Sequence, residues 1–169
     1  LHYPLRRQRQ MCIRDSSMTK LLEDVVNEGR ALSLGRHVIT LEACRASLVG
    51  EPSDIRSAAM NLVSNAVRYT PEGGRIDVRW FRTSSGAVLS VKDTGIGIEE
   101  KHIPRLTERF YRVDKGRSRS TGGTGLGLAI VKHVCRSAGG QLKIESTPGK
   151  GSTFSMVFPK SRIFDDESV

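Results

Sequence analysis

Three polar residues on one helical stretch set the first chemical question. In "EPSDIRSAAMNLVSNAVRYT", Asn61, Asn65 and Arg68 are four and three positions apart. At roughly 100° per residue they fall within about 60° of one another. The apolar stripe Ile55, Ala59, Leu62, Ala66 and Tyr69 is centred about 120° away. Two amides and a guanidinium therefore project together from the flank of a buried helix. Asparagine is a poor helix former, so two of them a turn apart suggest a site. The plain alternative is two polar residues facing solvent. A second cluster is "KDTGIGI", with Asp93, Gly95 and Gly97. A carboxylate only accepts hydrogen bonds and suits an exocyclic amine such as that of adenine. The glycines would let the backbone pass close to a flat ring; the alternative is an ordinary Asp-Thr-Gly turn.

The third cluster is "TGGTGLGLAIVKH", which places Gly122, Gly123, Gly125 and Gly127 just before an apolar run. Glycine leaves room against the main chain, and a helix N-terminus presents N–H groups to an anion such as phosphate. No Gly-Lys-Ser/Thr follows, so this is not a P-loop. Ile130 stands where a dinucleotide fingerprint would have its third glycine. The fourth is "TPGKGSTF", with Gly149 and Gly151, which could equally be a hairpin turn.

The elements that must position these residues can be read from the periodicity. "MTKLLEDVVNEGRALS" reads as an amphipathic helix with Leu21, Leu22, Val25 and Val26 on one side. "HVITLEA" alternates like a strand. Ser53 or Asp54 can cap the helix that carries the asparagines, and Pro71 with Gly73 and Gly74 ends it. "RIDVRWF" and "AVLSVKD" form an antiparallel hairpin. A short helix is expected around "HIPRLTERF", and a second helix from about Leu126 with Ile130 and Val134 one turn apart. Gly139 and Gly140 stop that helix. "QLKIES" and "TFSMVFP" close the domain as another hairpin. Helices in this order can cover only one face of the sheet, which gives an α+β two-layer sandwich.

Composition bounds the rest. The 169 residues suffice for one domain with a real core. Cys12, Cys44 and Cys135 are too widely spaced for a zinc pattern or a disulfide framework, which points to a reducing compartment. No apolar run has the length of a membrane span. The net charge is +9. The stretch from Arg105 to Arg119 concentrates Arg105, Arg109, Arg112, Lys115, Arg117 and Arg119. Such a patch can serve a polyphosphate, a nucleic acid or an acidic partner, or be a solvated face. Residues 1–16 fit nothing downstream. Their "MCIRDS" resembles translated sequencing-adapter sequence, so they are expected to be foreign to the domain, with the parent's N-terminal part missing. The domain is then expected over 17–160, with 161–169 a flexible tail.

In their order and separation, "NLVSNAVRYT", "DTGIGI", "ERFYRVDKGRSRSTGGTGLGLAIVKH" and "TPGKGSTFSMVFP" resemble the N, G1, F, G2 and G3 boxes of sensor histidine kinases. The segment from His102 to His133 is similar to the phosphate-regulon branch of that family. The resemblance implies a Bergerat-type ATP-binding fold, with a mixed, mostly antiparallel sheet covered on one face by helices. It implies ATP and Mg²⁺ as ligands. Asn65 would hold Mg²⁺ through its amide oxygen, with Asn61 and Arg68 near the phosphates and Tyr69 packed by the nucleotide. Asp93 would accept from the adenine amino group, with Gly95, Gly97 and Thr153 contributing to the pocket. Arg109 and Arg112 would stand at the root of a mobile lid, Arg112 acting in catalysis with Asn61. Gly123, Thr124, Gly125, Leu126 and Gly127 would cradle the phosphates.

Related ATPases of the same fold carry a Glu one turn before the metal-binding Asn; here that position is Asn61. A neutral amide cannot take a proton from water at useful rates, so hydrolysis is expected to be slow and a histidine to be the intended acceptor. His2, His37, His102 and His133 are the only histidines, and none lies in a phospho-acceptor box. The implied partners are a histidine-bearing dimerisation domain and a response regulator, with no nucleic acid and no membrane contact by this segment. The parent would be a homodimer anchored in the bacterial inner membrane, with this domain in the cytoplasm. A gyrase-type ATP-driven clamp and a basic nucleic-acid-binding module are the alternatives.

Overall fold

The computed structural model describes residues 12–113 and 126–165. In chain order these form β1 (Cys12–Ile13), α1 (Asp15–Ser33), β2 (Val38–Ala43), β3 (Ser47–Val49) and α2 (Pro52–Tyr69). There follow β4 (Arg75–Thr83), β5 (Gly86–Asp93), a 3-10 helix (Glu100–Arg105), α3 (Gly127–Ser137), β6 (Gln141–Thr147), β7 (Gly151–Pro159) and β8 (Ile163–Phe164). The main sheet has the order β2-β4-β5-β7-β6. β2 runs parallel to β4, and every other pairing in that sheet is antiparallel. The expected α+β sandwich with a mixed, mostly antiparallel sheet is therefore the fold observed.

Strand alternation sends Ile76, Val78 and Trp80 of β4, Ala87, Leu89 and Val91 of β5, and Phe154, Met156 and Phe158 of β7 to the helix side. Trp80 meets Phe158 edge-on at 6.0 Å and donates its indole N–H to the Ala46 carbonyl. α1 buries Met18, Leu22, Val25 and Val26 against them. α2 buries Ile55, Ala58, Ala59, Leu62, Val63, Ala66 and Val67. The expected stripe holds except at its last member, Tyr69, which is 43% exposed.

Three local expectations are corrected. α2 is capped neither by Ser53 nor by Asp54. Its N-cap is Glu51, without a side-chain bond, because Pro52 at the first helical position has the right φ already fixed and no N–H to satisfy. The helix expected around residues 102–110 is a six-residue 3-10 helix ending at Arg105 with Pro104 inside it; proline lacks the N–H that a continuing α-helical ladder needs. α3 turns Val131, Val134 and Cys135 inward, and leaves Ile130 41% exposed. Burial pushes the Cys135 thiol up to about 12. β3 had no counterpart in the sequence reading.

β3 is the centre of a second small sheet, ordered β1-β3-β8 and antiparallel throughout. Cys12–Ile13 falls within the stretch set aside as foreign, and Ile163–Phe164 within the tail expected to fray. Ile13 pairs with Leu48 and is 2% exposed in the main core. Ile13→Ala is therefore expected to lower unfolding free energy by about 2–4 kcal/mol, the usual cost of truncating a buried isoleucine. Urea denaturation of the two chains measures it. An unchanged midpoint would give β1 no part in the core.

Candidate functional site

Asp93 ends β5 on the helix side of the sheet and is 6% exposed. Its Oδ1 accepts the Gly95 N–H at 2.8 Å and the Ser152 N–H at 3.3 Å. Burial pushes its carboxyl above the ordinary range, and those two N–H groups pull back without cancelling the effect. Both bonds fall on one oxygen, so the other keeps its acceptor capacity for an exocyclic amine.

The glycines beside Asp93 serve close packing of the chain upon itself. A Cβ on Gly95 would lie 2.5 Å from the Tyr69 carbonyl oxygen and 2.7 Å from Asp93 Oδ1. Gly97 has φ +71°, and its Cβ would lie 2.1 Å from the Thr147 carbonyl oxygen. A Cβ on Gly151 would meet the Asp93 carbonyl oxygen at 2.0 Å. Ile96 links the two walls: its N–H donates to Tyr69 and its carbonyl accepts from Gly149. Protein backbone already fills the space a side chain would need at these glycines, a second reason for glycine beside the expected approach to a ring.

The second half of the site lies on α2. Asn61 donates its amide N–H to the Ser57 carbonyl at 3.0 Å, and Arg68 donates to Asn65 Oδ1 at 3.2 Å. All three side chains are half-buried. The start of α3 comes to the same place: a Cβ on Gly127 would lie 3.0 Å from Asn61 Oδ1. Leu126 is the N-cap of α3 and contributes no side-chain cap. The first-turn N–H groups beside Asn61 therefore have no side-chain acceptor at the cap, which suits an anionic ligand.

The remaining predicted residues divide. Arg109 is exposed and Arg112 half-buried, and among the described residues no hydrogen bond or ion pair ties either to α2 or to Asp93. Between them Phe110 takes φ +67° and is 70% exposed. Tyr111 anchors this segment through its hydroxyl at His102 Nδ1 and the Arg105 guanidinium 4.5 Å over its ring. Gly123, Thr124 and Gly125 lie outside the described residues, as do Lys115, Arg117 and Arg119. Thr153 is corrected. It stands opposite Lys92 and Glu145 in the ladder, on the sheet face away from the helices. Its neighbour Ser152 is the residue that faces Asp93. With Phe154 in the core, the period of two already required this. Thr70 was also missed: it is buried against Gly74 and Gly95, and its hydroxyl has no partner.

A buried acceptor at one end, and two amides with an uncapped helix start at the other, are the groups that would suit a molecule joining an amine-bearing base to an anion. The chain belongs to the histidine kinase-, DNA gyrase B- and HSP90-like ATPase family, whose model matches residues 50–162. Several of the proteins it resembles are named sensor histidine kinases. It is 54% identical over 149 residues to the phosphate regulon sensor protein PhoR of Pseudomonas aeruginosa, covering 87% of this chain and 34% of that protein. It is 45% identical over 113 residues to the sensor-like histidine kinase SenX3 of Mycolicibacterium smegmatis, covering 67% and 29%. The chain thus spans about a third of the length of these relatives. Among solved structures, the mycobacterial sensor histidine kinase MprB superposes with a TM-score of 0.77 at 27% identity, over 89% of this chain and 97% of that one. ShkA, solved in complex with AMPPNP, gives 0.70 at 25% identity, over 82% and 29%.

Two outcomes follow from Asp93 and Ser152. A carboxyl whose folded pKa is raised stabilises the fold fully below its unfolded value, and loses that contribution as pH rises through the folded value. At neutral pH the charge is thus a net cost to the ligand-free domain. Asp93→Asn should raise the ligand-free thermal midpoint at pH 7. It should also weaken nucleotide binding by about 10- to 100-fold, the worth of one charge-assisted hydrogen bond. Calorimetry beside scanning fluorimetry checks both signs, and unchanged affinity would remove Asp93 from base recognition. Ser152 reaches Asp93 through its backbone N–H, which alanine keeps, while its hydroxyl bonds Ser146. Ser152→Ala and Thr153→Ala should therefore both leave affinity nearly unchanged in the same titration, and a loss in Thr153→Ala would restore Thr153 to the site.

Proposed function

We propose that this chain is the Mg-ATP-binding catalytic unit of a sensor histidine kinase. It donates the γ-phosphoryl group to a histidine on a separate dimerising helical domain, with a response regulator as the later acceptor. Phosphate supply is the signal that the similarity to PhoR supports. The parent would be a homodimer held at the bacterial inner membrane, with this domain on the cytoplasmic side. No described helix is long and apolar enough to cross a membrane.

The carrying observation is the chemistry of Asn61. It sits at the start of α3, where the phosphates are proposed to lie, and its amide is engaged with the Ser57 carbonyl. No proton can be taken from water there, so the site favours a nucleophile brought from elsewhere. The histidine nitrogen would form a bond to the γ-phosphorus as the bond to the β–γ bridging oxygen breaks and ADP leaves. The same residue weighs against a gyrase-type clamp, which needs the hydrolytic base.

The donor set fits Mg²⁺ and the nucleotide. Asn65 Oδ1 takes one bond from Arg68 and keeps a second lone pair, as suits a hard cation that draws its other ligands from phosphate and water. When bound, the ion neutralises phosphate charge. Asp93 fixes the base, and Arg68 with the α3 N-terminus meets the phosphates. Their role is positioning and charge neutralisation, which is most of what phosphoryl transfer requires.

The test mixes the chain with a separately purified histidine-bearing domain of a related kinase and γ-labelled ATP. Label should appear on the added domain, surviving base and lost in acid. The chain alone should neither label itself nor hydrolyse ATP at about 1 s⁻¹ or above, the low end of ordinary enzyme turnover. Asn65→Ala should abolish both Mg-dependent binding and transfer. Fast hydrolysis without transfer would make the chain an ATPase instead.

A further inference from the structure

His37 belongs to none of the clusters that build the site, yet it is wired to the back of it. Its Nε2 lies 2.6 Å from the Thr70 carbonyl oxygen, and its Nδ1 lies 2.9 Å from Ser33 Oγ. A carbonyl only accepts, so Nε2 carries the hydrogen. In the neutral ring Nδ1 is then an acceptor and takes the Ser33 hydroxyl hydrogen. Ser33 Oγ in turn accepts the His37 backbone N–H at 3.0 Å. The ring is thereby held in one tautomer and one orientation, between the end of α1 and the end of α2.

Thr70 stands where α2 gives way to the base wall. The preceding carbonyl, of Tyr69, accepts from Ile96 and lies 2.5 Å from where a Gly95 side chain would begin. Gly95 in turn donates to Asp93 Oδ1. The Thr70 hydroxyl makes no bond, so the residue is tied to α1 through its carbonyl alone. Two backbone bonds, Gly73 N–H to Arg36 and Val38 N–H to Gly74, close the turn further along. The His37 bond is the one that reaches the residue next to Tyr69.

We infer that His37 is a positioning residue for nucleotide binding: its Nε2–H holds the Thr70 carbonyl and, through Tyr69 and Gly95, sets where Asp93 meets the base. This rests on the reading of Asp93 as the adenine acceptor. The residue touches neither phosphates nor acceptor histidine, so it governs affinity for the base and leaves the transfer step alone.

The test pairs two polar replacements. Glutamine places an amide N–H near the Nε2 position, whereas asparagine keeps only the Ser33 side. ADP affinity in EDTA, which removes the metal contribution, is measured for the unaltered chain, His37→Gln, His37→Asn and the core variant Ile13→Ala. Loss of one hydrogen bond behind the base wall should weaken ADP about 10-fold in His37→Asn, with His37→Gln within about threefold of the unaltered chain. Ile13→Ala, destabilised but remote, should bind normally. In transfer assays His37→Asn should raise KM for ATP and leave kcat unchanged. In the unaltered chain, ADP should shift the NMR signals of the His37 ring and the Ile96 amide, which holds whether or not the variants fold. Equal ADP affinity in His37→Asn, equal losses in His37→Asn and His37→Gln, or an unshifted His37 ring would each overturn the inference. An unaltered chain that binds no ADP would overturn the base-wall reading itself, and this inference with it.

Discussion

A carboxylate taken out of water at the end of a sheet strand is costly unless hydrogen bonds replace its hydration. Asp93 receives two, from segments far apart in the chain: the loop after β5 and the start of β7. Much of the surrounding backbone is arranged so that those N–H groups can reach it. Gly95 packs against Tyr69, and Gly151 against the Asp93 carbonyl, where no side chain fits. Gly97 meets the β6–β7 turn at a φ that favours glycine. Compensation is still incomplete, since burial leaves the carboxyl above its ordinary range. An amine-bearing ligand at Asp93 would add a further hydrogen bond, so part of its binding free energy would come from relief of a cost already present in the protein.

The other half of the site depends on rotation of one helix. α2 is locked about its axis by seven buried residues, three of them alanines that let neighbours approach. α1 comes so near that a Cβ on Gly29 would lie 2.5 Å from Val63 Cγ1. Once that apolar face is seated, Asn61, Asn65 and Arg68 have no freedom to point elsewhere. The core thus aims the polar flank, and the start of α3 docks against it at Gly127. A rigid helix presenting polar groups is a more precise scaffold for a cation and phosphates than a loop would be.

Long-period signals were legible in the sequence, and contacts between distant segments were not. The stripe of α2, the two hairpins and the buried Asp93 follow from periodicity and residue type. The partner of Asp93 was legible too, since placing Phe154 in the core puts Ser152 inward and Thr153 outward; resemblance to a motif was followed where the strand period should have ruled. β3 escaped because three residues are too few to show a period, and it is made a strand by Cys12–Ile13 and Ile163–Phe164 on either side. The second reason for the glycines was also hidden, because their close neighbours, Thr147, Tyr69 and Asp93, lie elsewhere in the chain or across a turn. His37 gave no signal at all: its role comes from a carbonyl 33 positions away.

On the proposed reading the pocket would hold ATP at both ends without a base at the reacting end, and this division has a physical logic. A carboxylate beside the phosphates would repel them and activate water whenever ATP was present. A neutral amide does neither. With the Asn61 amide N–H bonded to its own helix, Asn61 brings neither charge nor a base to the start of α3, while Arg68 on the same flank carries the positive charge that phosphoryl transfer needs. On that reading ATP would rest in the site without being consumed, and reaction would wait on a nucleophile carried by another domain. What would make the site a poor hydrolase would make it a controllable donor, its rate set by whether the acceptor histidine is presented.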